Sequence, residues 1–300
     1  MRFSFWPGPA QPWSEVLELA RHVEATGWDG IWYADHFMPN AADTSGPWNE
    51  AWTVLSALAA AVPRIRIGPL VTGNTYRHPA VLAKMAATVD QISEGRLVLG
   101  LGSGWQENEH AAYGIPFYTT GDRLRRLEEA CQVIRSLFSE EKSDFDGKYY
   151  QLEDAPLEPK PVQQPLPLLI GGGGEKVTLR IAARYADEWN TWGDVATLVH
   201  KMEVLERHCA EVGRDPVEIQ RSAVAMLFLS DDARFIEQVR GGGGGRPMIA
   251  GNAEEVAQVV KDYAEAGVDE LVIPDFNLGP RERKVAILDR FIREVAPVAR

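Results

Sequence analysis

Eight short apolar segments alternate with amphipathic ones along the 300 residues. That rhythm predicts an α/β fold closed as a (β/α)8 TIM barrel, a single domain over residues 1–300. An open doubly wound sheet is the alternative, and the barrel is favoured because no strand-to-helix turn carries GxGxxG with its following acid. In such a barrel the active site lies at the C-terminal strand ends, where glycine, small hydroxyl and aromatic residues collect in this sequence.

Residues 2–6 alternate as a strand and stop at Pro7-Gly8. Ser14 is the candidate cap of a helix whose Val16, Leu19, Ala20 and Val23 share one face, and Gly27 ends it. Residues 30–34 form the second strand, delivering Asp35 and His36 at its end. Residues 49–61 read as an alanine-rich helix halted by Pro63. The third strand spans 64–71. Pro79 then opens a helix with Val81, Leu82, Met85, Val89 and Ile92 on its buried side, and His78 is positioned to cap it. Residues 97–99 are a buried fourth strand, after which Gly100, Gly102 and Gly104 leave room for a flat ligand or another backbone. A strong amphipathic helix follows over 122–138.

Residues 143–167 break the rhythm with a hairpin signal at Asp146-Gly147 and five prolines, an excursion between the fourth helix and the fifth strand. Residues 168–170 resume as the fifth strand. Gly171-Gly172-Gly173-Gly174-Glu175 joins it to a helix carrying Val177, Ile181 and Tyr185. Residues 187–192 make the sixth strand, 195–212 a helix, and 219–229 one long seventh strand. The five glycines 241–245 predict a mobile loop. A helix over 253–266, an eighth strand over 270–274 and a helix over 285–295 complete the chain.

The net charge of −12 argues against nucleic acid or an anionic membrane as partner. Cys131 and Cys209 form no disulfide framework or CxxC site, the histidines show no metal-ligand spacing, and no apolar run approaches membrane-spanning length. A soluble cytoplasmic protein without a metal is the expectation.

The strand ends supply few paired carboxylates, which fits a bound flat cofactor better than a hydrolase. The run from Gly171 to Glu175 is the most physical signal. Free amides ahead of a helix, unobstructed by side chains, make an anion cradle, and a flexible turn is the competing reading. His36 is the acid or base candidate, because imidazole titrates near neutrality; a buried, satisfied histidine is the alternative. Trp105 and Trp192 at strand ends are candidate pocket walls.

Tyr33-Ala34-Asp35-His36-Phe37, Val71-Thr72 with Arg77-His78-Pro79, Gly95-Arg96 through Gly104-Trp105, and Gly171 to Glu175 together resemble the bacterial luciferase-like family of flavin and deazaflavin oxidoreductases. The likeness is strongest to the branch that uses the deazaflavin coenzyme F420. It implies that Asp35, Thr72 and Asn108 touch the ring and its side chain, that Gly171 and Gly172 bind phosphate, and that His36 adjoins the reactive face. It also implies a non-proline cis peptide behind the ring, near Pro69-Leu70, which adds Leu70 to the cofactor wall. Trp105 and Asn40 depart from the sugar-phosphate dehydrogenases of that branch, so their substrate is not carried over.

The expected activity is hydride transfer between reduced F420 and a small organic substrate. The alternative is an FMN-dependent monooxygenase that consumes oxygen. Either needs a flavin or F420 reductase as its redox supplier, and relatives of this kind are often homodimers. A cofactor-binding protein without turnover is a third class.

Overall fold

Buried apolar runs form the strands, and amphipathic runs bounded by caps form the helices between them. The computed structural model describes residues 1–242 and 245–300. In chain order the first part holds β1 (Arg2–Trp6), α1 (Trp13–Thr26), β2 (Gly30–Tyr33), α2 (Ala51–Ala61), β3 (Arg66–Pro69), β4 (Thr72–Gly73), α3 (Pro79–Ile92) and β5 (Leu99–Gly102). Then come α4 (Glu107–Tyr113), α5 (Thr120–Ser139), the hairpin β6 (Lys142–Asp146) and β7 (Gln151–Pro156), β8 (Leu168–Gly171), α6 (Thr178–Tyr185), β9 (Glu188–Trp192) and α7 (Val195–Val212). The last part holds β10 (Gln220–Val224), β11 (Met226–Leu229), α8 (Ala233–Gly241), β12 (Met248–Gly251), α9 (Ala253–Glu265), β13 (Glu270–Pro274) and α10 (Arg281–Arg290).

The main sheet runs β3-β2-β1-β13-β10-β9-β8-β5-β4, and its pairings are parallel. An isolated bridge between Ile67 and Leu97 brings its two ends together, so the sheet is a nearly closed barrel. The third barrel strand is broken in two: β3 pairs with β2, and β4 pairs with β5. The cis peptide in that break is Leu70-Val71, one bond later than the sequence placed it. Gly100 explains why the break packs where it does. A Cβ there would lie 2.1 Å from the Pro69 carbonyl oxygen, so only glycine lets the two backbones meet. Gly100 therefore serves a neighbouring strand.

Inside the barrel Trp6, Trp32, Leu70, Val98, Leu169, Val224 and Val272 form one apolar cluster. Below it the buried acids Glu188 and Glu270 meet Arg66, and the Trp32 indole donates to Glu270 at 2.8 Å. The larger cluster fills the layer between strands and helices. In α1 the buried residues are Val16, Leu19, Ala20 and Val23, and burying a side chain such as Leu19 contributes about 1.5–3 kcal/mol. Gly27 ends α1 in the left-handed conformation, φ 90°.

Several boundaries differ from expectation. Pro12 occupies the cap position of α1 and makes no side-chain cap, which puts Ser14 inside the first turn. His78 does cap α3, its Nδ1 accepting from the Ala80 amide at 3.2 Å, but Val81 and Ile92 are exposed, because the face of α3 that packs on the barrel runs through Leu82, Ala83, Ala86 and Val89 instead. The fourth barrel strand begins at Leu99 and includes Gly100 and Gly102. The supposed long seventh strand is two: β10 stays in the barrel, while β11 leaves it to pair with β12. Of the predicted glycine loop, Gly241 ends α8, Gly242 follows as its cap, and Gly243 and Gly244 lie outside the described residues. The excursion contains the expected hairpin around Asp146-Gly147. Among the described residues no helix is long and apolar enough to cross a membrane, and no cluster of potential metal ligands occurs.

Candidate active site

The C-terminal ends of the barrel strands open into a cavity of about 880 Å³, a volume suited to a cofactor with its substrate. One side is built by Asp35 and His36 after β2, by Leu70 and Val71 in the broken strand, and by Ser103 and Trp105 after β5. The opposite side carries Trp6, Trp192, Phe276, Asp275 and Lys284. Gly171 and Gly172 form part of the rim between them.

His36 reaches this cavity because β2 ends at Tyr33, three residues before it, and its ring is held rather than free. Its Nδ1 lies 2.7 Å from Glu109 Oε1, and it meets Trp105 in a T-shaped contact with ring centroids 5.2 Å apart. Glu109 also accepts from the Phe37 amide at 2.7 Å and from the Tyr76 hydroxyl. Burial pushes the Glu109 carboxyl up, but the hydrogen bonds from His36, Phe37 and Tyr76 outweigh it and hold the group below the usual range. Burial, reinforced by that carboxylate, drives the Tyr76 phenol far above its ordinary value.

Asp35 is buried beneath this layer. Arg77 grips it at 2.6 and 3.2 Å and reaches Glu50 at 2.8 Å. Burial raises the Asp35 carboxyl more than the Arg77 guanidinium lowers it. Thr72 is fully buried and accepts from the Trp52 indole at 2.9 Å, so it backs the wall rather than forming it. Asn108 is turned away from the cavity: its amide donates to the Pro39 carbonyl at 3.1 Å and its oxygen accepts from the Glu109 amide.

The glycine run after β8 fits a phosphate. The Gly172 amide is used by the Asn190 carbonyl, and Gly172 has φ +126°, which favours glycine. Beyond it the amides of residues 173–177 donate to no protein acceptor among the described residues, and α6 has no side-chain cap. Such a row of free donors ahead of a helix is what an anionic oxygen needs. Gly173, Gly174 and Glu175 stand outside the cavity wall proper, on the way to α6. The Glu175 carboxylate is taken by Lys201 at 2.6 Å and His200 at 3.1 Å, leaving its backbone amide as the group available to a ligand.

Asn40, Trp105 and Trp192 all line the cavity. Trp192 packs on Trp6 and lies under the Arg246 guanidinium, 5.0 Å from its ring centroid. Asp275 accepts from the Gly8 amide at 2.9 Å and from Gln11 at 2.6 Å, and pairs with Lys284 at 3.0 Å. Sequence reasoning assigned no role to Glu109, Tyr76, Asp275 or Lys284. Two signals were available: Glu109 sits four residues past Trp105, and Asp275 directly follows the eighth strand.

Residues 1–240 match the family model described as luciferase-like monooxygenase. The chain belongs to the luciferase-like monooxygenase family. Among curated relatives, F420-dependent glucose-6-phosphate dehydrogenases from Amycolatopsis mediterranei and Kineococcus radiotolerans are each 30% identical to this luciferase-like chain. The two alignments cover 95% of it and 94% and 93% of those proteins. Among solved structures, an F420-dependent secondary alcohol dehydrogenase in complex with an F420–acetone adduct superposes with TM-score 0.85 at 24% identity, over 100% of this chain and 99% of that one. The coenzyme F420-dependent tetrahydromethanopterin reductase of Methanopyrus kandleri gives 0.82 at 20% identity, with the same coverage. At these identities the structural likeness establishes the luciferase-like barrel.

Proposed function

We propose that this protein is an F420-dependent oxidoreductase acting on a small organic substrate. The observation that carries the reading is a cavity that His36 lines and whose rim, at Gly171 and Gly172, runs directly into the free amides 173–177. The amides suit the phosphate of a flavin-like cofactor, and the ring suits movement of a proton beside it. The F420-dependent relatives, aligned over nearly the whole chain, favour the deazaflavin over FMN.

Bound there, a reduced deazaflavin supplies a hydride. The protein's part is to hold, orient and shield. Residues 173–177 anchor the phosphate. Leu70 and Val71 back the ring, and Trp105, Trp6 and Trp192 exclude water from the cavity. His36 gives or takes the accompanying proton at the nitrogen that faces the cavity. Asn40 and Trp105 shape the substrate wall, so a sugar phosphate is not assigned here.

Fluorescence titration of the purified protein with F420 and with FMN tests the reading. Tight F420 binding with weak FMN binding is expected. The reverse result, with oxygen consumed in turnover, would make this an FMN-dependent monooxygenase served by a separate reductase. Binding of neither would remove the cradle assignment. His36→Ala is expected to lower kcat by about a hundredfold while F420 still binds.

A further inference from the structure

The His36 ring has one nitrogen engaged and one free, and Glu109 decides which is which. We propose that Glu109 is a positioning residue that locks His36 in the tautomer protonated at Nδ1 and supplies the countercharge when Nε2 also carries a proton. This rests on the reading of His36 as the proton-handling group.

The geometry is specific. Glu109 is fully buried and both its oxygens are used: Oε1 by His36 Nδ1 and the Tyr76 hydroxyl, Oε2 by the Phe37 amide. It also lies in the first turn of α4, where backbone amides favour an anion. A carboxylate held ionised in this way accepts only, so His36 Nδ1 must donate to it. His36 Nε2 then has no protein partner among the described residues, on a ring that lines the cavity.

The other groups around the ring leave this assignment intact. Tyr76 retains its proton throughout the working range, so its hydroxyl stays a donor to Glu109 and passes no proton onward. Asp35 and Arg77 neutralise each other. Trp105, on the ring's flank, does not titrate. The hydrogen-bond chain therefore ends at Glu109. A proton given up at Nε2 leaves a neutral ring whose Nδ1–H remains on Glu109, and Nε2 must regain its proton from the cavity side. Nothing in this arrangement leads a proton out through the back of the barrel.

Nitrogen-15 NMR of the histidine rings in the protein without cofactor reads the tautomer directly. The wild type is expected to show His36 with Nδ1 protonated and Nε2 bare when neutral. Glu109→Gln, whose amide can donate as well as accept, should lose that signature and admit the other tautomer. With F420 bound, Glu109→Gln should lower kcat by about a hundredfold, with the F420 Kd changed less than about twofold. Glu109→Asp should recover part of the rate. Tyr76→Phe removes a donor without removing the charge, and it should keep the Nδ1–H signature, which guards against a folding defect in Glu109→Gln. The wild-type tautomer persisting in Glu109→Gln, or being lost in Tyr76→Phe, overturns the proposal. Failure of the wild type to bind F420 would sink the proposed function, while the ring spectra would still judge Glu109.

Discussion

Replacing Arg77 by methionine is expected to destabilise the fold in a pH-dependent way. The guanidinium holds the buried Asp35 carboxylate through two contacts, at 2.6 and 3.2 Å, and is itself mostly buried. Leaving such a carboxylate unpaired costs about 3–5 kcal/mol. Over 300 residues the unfolding entropy is about 0.6 kcal/mol/K, so the melting temperature should fall by about 5–8 °C. The sign with pH follows from the direction of the Asp35 shift. Its carboxyl is raised in the folded state, so its contribution to stability is present in acid and is lost as pH rises through the folded value. Without Arg77 that rise is larger. The loss in Arg77→Met should therefore be greatest at neutral pH and shrink toward acid, as Asp35 takes up its proton. Calorimetric melting of wild type and variant at several pH values measures this. Asp35→Asn in the Arg77→Met background should recover most of the neutral-pH loss. A penalty under about 1 kcal/mol, or one equal at all pH values, would refute the reasoning.

Arg96 should prove structural. It donates to the carbonyls of Ala59, Val62, Ile65 and Ser93 at 2.7–2.9 Å, tying the end of α2 to the start of the fourth strand region. Arg96→Ala should cost about 3 kcal/mol in denaturant unfolding, and Arg96→Lys should rescue little, because an ammonium cannot fork between these acceptors. Gly171→Ala should disturb both fold and binding. The new Cβ would lie 2.7 and 2.9 Å from the two methyl carbons of Val71, in the wall behind the proposed ring. About 1–3 kcal/mol of stability and about tenfold in F420 affinity should be lost, as read by melting and by fluorescence titration.

The barrel was legible because its signal is periodic and repeated. Eight buried runs separated by amphipathic helices leave few topologies, and elements such as β1, α7 and β13 fall where pattern and turn residues agree. Residues 219–229 misled for a physical reason. A continuous apolar run reads the same in one sheet or two, and nothing local marks Ala225 as the point where the chain leaves the barrel for β12. In the site, the placement of His36 and of Gly171-Gly172 on the cavity was readable because each lies at or just past the end of a barrel strand. Thr72 and Asn108 show the limit of that approach, since their side chains are claimed by Trp52 and Pro39, partners far along the chain. Glu109 illustrates it from the other side: its importance comes from three donors on two other segments that sequence spacing does not bring together.

The pairing of β1 with β13 joins strands whose partners, such as Arg2 and Glu270, stand 268 residues apart. During synthesis, at about 5–20 residues per second, one edge of the first strand waits some tens of seconds for its neighbour to emerge. Throughout that interval Phe3 and Phe5 belong to a sheet with an open, apolar border, the kind of edge that recruits other chains. Any factor that shields nascent protein therefore has its longest task here at the first strand, and a ribosome stalled before residue 270 would release a barrel with its seam undone.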